Sequence, residues 1–118
     1  MNKRILVVDD ERGIRELYKQ ELEDQGYAVE TASNTAEADK IIANAPVDLM
    51  ILDIKLGDDD GLSYLRKTME ANSALPVIIS SAYGSYKDDF SSWLAEAYIV
   101  KSSDLEPLKQ KVEEILAD

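Results

Sequence analysis

The chain of 118 residues has no cysteine and no histidine. The first absence excludes disulfides, thiolate nucleophiles and zinc–sulfur centres. The second excludes serine–histidine and cysteine–histidine catalysis, histidine-ligated metals and any phosphohistidine carried by this chain. Lack of cysteine also suits the cytosol, so a cytoplasmic location is expected. No apolar stretch approaches the roughly 20 residues of a membrane span. Met1-Asn2-Lys3-Arg4 is basic, but the apolar run before Asp9 is too short for a signal peptide. No repeat, linker or low-complexity tail interrupts the chain. Basic residues are scarce: 13 Lys and Arg face 24 Asp and Glu, for a net charge of −11. A field of that sign repels nucleic acid and anionic membrane, so direct binding to either is not expected.

What is present is a set of carboxylates at the ends of apolar runs. Ile5-Leu6-Val7-Val8 runs into Asp9-Asp10, and Leu49-Met50-Ile51-Leu52 runs into Asp53. Short aliphatic runs of this kind read as buried strands. A carboxylate just past each strand stands at the mouth of a sheet, where open α/β folds bind ligands. Two carboxylates about 4 Å apart repel by roughly 1 kcal/mol in water and roughly 4 kcal/mol in a protein-like medium. A hard divalent cation with oxygen ligands is the simplest means of offsetting that.

The rest of the chain alternates between strand-like and helix-like segments. Ile14, Leu17, Tyr18 and Leu22 repeat at helical spacing, with Gly26 as a stop. Tyr27 to Ala32 alternates as a half-exposed edge strand does. Asn34-Thr35-Ala36-Glu37 predicts a capped helix start, and Ala38, Ile41 and Ile42 continue that helix until Pro46. After the third strand comes a polar loop, Gly57-Asp58-Asp59-Asp60-Gly61, then a helix carrying Leu62, Leu65 and Met69. Pro76-Val77-Ile78-Ile79 is a fourth strand ending at Ser80-Ser81-Ala82. A weakly helical fourth helix spans about Ser85 to Glu96 and holds Trp93, which reads as packing or partner surface. Tyr98-Ile99-Val100 is the fifth strand, followed by Lys101. Ser103-x-x-Glu106 opens a fifth helix with Leu105, Leu108, Val112, Ile115 and Leu116 on one stripe and Pro107 in its first turn. Five strand–helix repeats with short connections predict a parallel sheet covered on both faces, in one domain over residues 1–118.

Five residues would then meet at one end of the sheet: Asp9, Asp10, Asp53, Ser81 and Lys101. This is equipment for phosphoryl transfer to a carboxylate. A metal offsets the charge on the attacking group and the phosphoryl oxygens, while an ammonium and a hydroxyl bind those oxygens. One aspartate is the nucleophile and becomes an aspartyl phosphate. Singly, these residues have plainer readings. Asp9 and Asp10 could cap the first helix, Ser81 could be a loop hydroxyl, Lys101 a solvated charge, Tyr98 a packed aromatic, and Asp58-Asp59-Asp60 a solvated run.

In this order and spacing, the chain resembles the receiver domain of bacterial two-component response regulators from about Arg4 to Leu116. The resemblance is carried by Ile5 to Glu11, Leu52-Asp53-Ile54-Lys55, Asp60-Gly61-Leu62, Pro76 to Gly84 and Tyr98 to Lys101. It implies a flavodoxin-like, doubly wound (βα)5 fold with strand order 2-1-3-4-5, a property of the family and not of the spacing. It implies that Asp53 accepts a phosphoryl group from a phosphohistidine on a sensor histidine kinase or a histidine phosphotransfer protein. Mg²⁺ would be bound by Asp10, Asp53 and the backbone carbonyl of Lys55, and by Asp9 largely through water. Ser81 and Lys101 would contact the phosphoryl oxygens. Ser81 and Tyr98 would form the switch pair, altering a helix 4–strand 5–helix 5 face used for homodimer or effector contact. Lys55 and Tyr83 occupy positions that tune how fast water removes the phosphoryl group.

The chain departs from the family in two places. Ser102 follows Lys101 where a proline, often cis, is usual; a cis bond before a non-proline residue costs about 2.5–4 kcal/mol, which favours trans here. Leu56 to Asp60 replaces the usual Pro-Gly turn with a more acidic and more flexible segment. Three other functions fit less well. A small aspartyl-nucleophile phosphotransferase needs substrate-binding insertions that 118 residues scarcely accommodate. A phosphorylation-independent interaction module would keep the fold without the switch. A flavodoxin needs a phosphate-cradling loop where Asp9-Asp10-Glu11 has the wrong charge.

Overall fold

The computed structural model describes residues 2–82, 84 and 93–117. The fourth helix expected over 85–96 lies largely outside these residues, as does Tyr83. The strands of the main sheet are β1 (Arg4–Val8), β2 (Ala28–Ala32), β3 (Leu49–Leu52), β6 (Val77–Ser81) and β7 (Ala97–Val100). The helices are α1 (Arg12–Asp24), α2 (Thr35–Asn44), α3 (Gly61–Ala71) and α4 (Glu106–Leu116), and a small ladder joins β4 (Lys55–Leu56) to β5 (Asp59–Asp60). All four pairings of the main sheet are parallel, in the order β2-β1-β3-β6-β7. This is the flavodoxin-like 2-1-3-4-5 order that the family resemblance implies.

Strand residues alternate between two cores. Leu6, Val8, Met50, Leu52, Val77 and Ile79 face one side, packed with Ala38, Leu62, Tyr64 and Leu65 from α2 and α3. Ile5, Val7, Leu49, Ile51 and Ile78 face the other, packed with Tyr18 and Leu22 from α1 and Leu108 and Val112 from α4. Burial on both faces is why β1, β3 and the start of β6 read as unbroken aliphatic runs.

The helix starts follow local chemistry with two corrections. Asn34 caps α2 by accepting from Glu37 N–H at 2.8 Å, but the Glu37 carboxylate reaches back to Ser33 N–H and Oγ, both at 2.6 Å, one residue earlier than a capping box predicts. Ser103 does not cap the last helix. There Asp104 accepts from Glu106 N–H at 3.0 Å, and α4 starts at Glu106 with Pro107 in its first turn. Gly26, with φ +100°, ends the turn after α1 in a conformation other residues rarely adopt.

The acidic loop after Asp53 is also corrected. Residues 55–60 form an antiparallel hairpin with Lys55 opposite Asp60 and Leu56 opposite Asp59. Gly57 has φ +63°, as the first central position of a type II′ turn requires. Leu56 turns inward and is 2% exposed, which anchors the hairpin on the core. Of the three aspartates, Asp59 accepts from Thr35 N–H (3.1 Å) and Oγ1 (2.9 Å) at the start of α2. Asp60 accepts from Leu62 N–H (3.0 Å) and Ser63 Oγ (2.8 Å), capping α3. Two of the three therefore hold helix starts in place.

Candidate functional site: an acidic pocket at the strand ends

The carboxylates gather where β1 and β3 end. Asp9 N–H continues the ladder to Ala32 O at 3.1 Å, and Asp53 N–H continues it to Val8 O at 3.0 Å. Asp9, Asp10 and Asp53 each bring one carboxylate oxygen within 4.8 Å of the others. Asp9 and Asp53 are buried and Asp10 is exposed. Asp9 and Asp10 do not cap α1, which starts at Arg12 with no side-chain cap bond.

Lys101 enters from the far side of the sheet, at the end of β7. Its Nζ lies 2.8 Å from Asp9 Oδ2 and 3.0 Å from Asp53 Oδ2, with Glu11 Oε1 at 3.7 Å. The Lys101–Ser102 peptide is trans, with no cis bond among the described residues, so the ammonium reaches the pocket without the family's usual proline. The Coulomb terms show why this holds together. At an effective dielectric near 20, one ion pair at this range gains about 6 kcal/mol before desolvation, whereas two carboxylates near 5 Å repel by about 3.5 kcal/mol. One ammonium between Asp9 and Asp53 therefore outweighs their repulsion. With all three aspartates ionised, three negative charges against one positive still leave the pocket anionic.

The protonation tendencies agree with this arrangement. Burial raises the Asp9 and Asp53 carboxyl pKa values above the usual aspartate range, with the Lys101 hydrogen bond the chief opposing influence in each. Asp53 is also held down by the backbone N–H groups of Lys55 and Ile54. For Lys101, burial pushes the pKa down, but the two carboxylates outweigh it and the net shift is upward. Both Asp9 oxygens are engaged, Oδ1 by Glu11 N–H at 2.9 Å and Oδ2 by Lys101. Asp10 Oδ2 accepts from Gly57 N–H at 3.1 Å, tying the hairpin to β1.

Ser81, fully buried, ends β6, and its carbonyl accepts from Lys101 N–H at 2.7 Å. Tyr98 is half-buried and packs on the α2/α3 core. Ile79 pairs with Tyr98 and Ser81 with Val100, so Ser81 and Tyr98 stand on the same sheet face, one step apart. Lys55 is exposed on β4. Trp93 is 66% exposed, which makes it surface and not core.

Four supporting residues were not among the site residues expected from the sequence. Arg15 Nη1 donates to the Asp9 carbonyl at 2.8 Å. Gly61 packs so closely under the loop after Asp53 that a Cβ there would overlap the Asp53 carbonyl and lie 2.7 Å from Ile54 Cα. Ser80 and Tyr18 share a buried hydroxyl–hydroxyl bond of 2.9 Å.

A doubly wound sheet with three carboxylates at the switch between β1 and β3, and a lysine crossing to meet them, defines a class of phosphoryl-handling α/β domain. The sequence comparisons place it within that class. The chain belongs to the response regulator receiver domain family, whose family model matches residues 5–113. It is similar to TrrA, a response regulator of Thermotoga maritima, at 44% identity and a TM-score of 0.92, covering 97% of this chain and 99% of TrrA; that structure is a complex with Mg²⁺-BeF. TrrA in complex with the histidine kinase ThkA matches with 43% identity and a TM-score of 0.90, over 98% of this chain and 99% of that one. The virulence transcriptional regulatory protein PhoP of Salmonella typhimurium is 30% identical over 115 residues, 96% of this chain and 51% of PhoP. The chain thus spans about half the length of the curated relatives it matches. No helix among the described residues is long and apolar enough to cross a membrane.

Proposed function

We propose that residues 1–118 form one receiver domain that accepts a phosphoryl group on Asp53 from a phosphohistidine of a sensor histidine kinase or histidine phosphotransfer protein. The observation that carries this reading is the Lys101 ammonium bonded to both Asp9 and Asp53 in a largely buried pocket. An Asp53 oxygen attacks phosphorus, an O–P bond forms, the N–P bond breaks, and the donor imidazole leaves with the electron pair. Backbone N–H groups from Ile54 and Lys55 orient the Asp53 carboxylate for that attack. Lys101 pairs with the incoming phosphoryl oxygens, and the buried Ser81 hydroxyl binds another.

The donor set fits Mg²⁺: clustered carboxylate oxygens with no nitrogen or sulfur ligand suit a hard cation. Asp10, Asp53 and the Lys55 backbone carbonyl would hold it, with Asp9 acting through water. The bound ion would offset the charge of the nucleophile and the phosphoryl oxygens. The Mg²⁺-BeF complex of TrrA, with BeF as a phosphoryl mimic, and the TrrA–ThkA complex support both parts of this reading.

Phosphorylation adds roughly −1.5 to −2 charges at one point. Ser81 and Lys101 are drawn to it, and the space vacated beside Ser81 lets the Tyr98 ring turn inward on the same sheet face. The altered face comprises β7, α4 and the helix expected before β7, and it makes homodimer or effector contacts. The domain catalyses only its own phosphorylation and dephosphorylation, works in the cytoplasm, and binds neither nucleic acid nor membrane directly. The test is incubation with acetyl phosphate and Mg²⁺ followed by hydroxylamine, which cleaves acyl phosphates and spares phosphoesters. A label lost to hydroxylamine and missing from Asp53→Asn supports Asp53 as acceptor, and a label that resists hydroxylamine or persists in Asp53→Asn contradicts it.

A further inference from the structure

Resting on that reading, we propose that the buried Tyr18–Ser80 hydroxyl pair is a positioning element of the phosphoryl-acceptor pocket, holding strand β6 against Asp53. The register places it there. Val8 pairs with Leu52 and Leu52 with Ile79, so one residue further along each strand stand Asp9, Asp53 and Ser80, in one row. All three follow residues of the α2/α3 core and so project to the opposite side, where Tyr18 packs. Neighbouring members of such a row are spaced by about one inter-strand distance, roughly 4.8 Å. Ser80 is thus the next side chain in the row after the acceptor aspartate.

Tyr18 reaches Ser80 from α1, 62 residues earlier, at 2.9 Å, with both residues at most 2% exposed. The phenol lies close enough to feel Lys101, Asp9 and Asp53, though burial is the larger cause of its raised pKa. Ile5, Val7, Leu49, Ile51 and Ile78 line the rest of that core with aliphatic side chains. The polar pair stands instead at the one rank that holds the acceptor. It fixes β6 at the residue immediately before Ser81, whose carbonyl in turn receives the Lys101 N–H. Through these links α1 sets where the Ser81 hydroxyl and the Lys101 ammonium stand relative to Asp53. Both residues act through others; neither touches the reacting atoms.

The experiment compares Tyr18→Phe, Ser80→Ala and the double variant for phosphoryl uptake from acetyl phosphate at saturating Mg²⁺. Mg²⁺ affinity and urea stability are measured alongside. Each single variant leaves one buried hydroxyl without its partner, whereas the double variant leaves none and should regain much of the lost stability. A pair that served only folding would regain its uptake rate as well. The proposal expects uptake slowed roughly threefold or more in all three, because small displacements at a reacting centre are costly. It also expects Mg²⁺ affinity within twofold of native and no recovery of rate in the double variant. Native-rate uptake in the double variant overturns the proposal. So does a slowing that merely follows lost Mg²⁺ affinity, or a double variant unable to fold. Absence of uptake by the native chain would instead sink the phosphoacceptor reading beneath it.

Discussion

Lys101 Nζ donates to Asp53 Oδ2 across 3.0 Å, although 48 residues separate the two. The same ammonium holds Asp9 at 2.8 Å, so one positive charge bridges the two buried carboxylates of the pocket. Removing it leaves them facing each other without compensation.

Lys101→Met keeps the length of the side chain and removes its charge. Leaving buried carboxylates unpaired costs about 3–5 kcal/mol, measured by urea denaturation in chelator. The same change removes a cation that competes for the Asp9 and Asp53 oxygens. Mg²⁺ affinity measured by calorimetry should therefore rise even as stability without metal falls. Weaker Mg²⁺ binding in Lys101→Met would contradict the arrangement.

Gly61→Ala tests the close approach beneath Asp53. The added methyl meets the Asp53 carbonyl and Ile54 backbone, neither of which can yield as a flexible side chain does. A loss of at least about 2 kcal/mol is expected, at the upper end of ordinary overpacking. Urea midpoints of the native and variant chains check it, and an unchanged midpoint would mean that the loop after Asp53 packs loosely on Gly61.

The hairpin aspartates should separate cleanly. Asp59→Ala removes both acceptor contacts to Thr35 at the start of α2, so it should cost about 1 kcal/mol, as loss of a helix cap does. Asp58→Ala changes an exposed carboxylate at the hairpin tip and should stay within about 0.5 kcal/mol of native. Equal effects would show that the run acts only through its summed charge.

Acidification has a predicted sign. The Asp9 and Asp53 pKa values are raised in the folded chain, so just above the ordinary aspartate range it binds more protons than the unfolded chain. Stability without metal must then rise as pH falls from 7 towards 5, and the gain should shrink in Asp53→Asn. Thermal midpoints in chelator measure it; a fall over that window would contradict the burial described.

The parts of the site written in aliphatic runs were legible from sequence. Ile5–Val8 and Leu49–Leu52 are buried on both faces, so their ends, and hence Asp9 and Asp53, could be located without coordinates. Sheet order came from family resemblance, because pairing between distant strands leaves no local mark, whereas the place of Lys101 at the carboxylate end followed from its position just after an apolar run. The 55–60 hairpin was missed because its acidic residues read as solvated loop, while its anchor Leu56 is a single apolar side chain without periodicity. The start of the last helix misled because Ser103-x-x-Glu106 mimics a capping box, yet Asp104 supplies the acceptor one residue later. Tyr18–Ser80 was invisible for a different reason: a tyrosine on a helical stripe and a serine at a strand end are both commonplace, and only the fold brings them together.

The central claim is that the convergent carboxylates and Lys101 make Asp53 a Mg²⁺-dependent phosphoryl acceptor. Intact mass after acetyl phosphate treatment tests it most directly, on the native chain with Mg²⁺, on the native chain in chelator, and on Asp53→Asn with Mg²⁺. The account predicts one added phosphoryl group in the first sample and none in the other two. An Asp53→Asn chain that gains the same mass would contradict it.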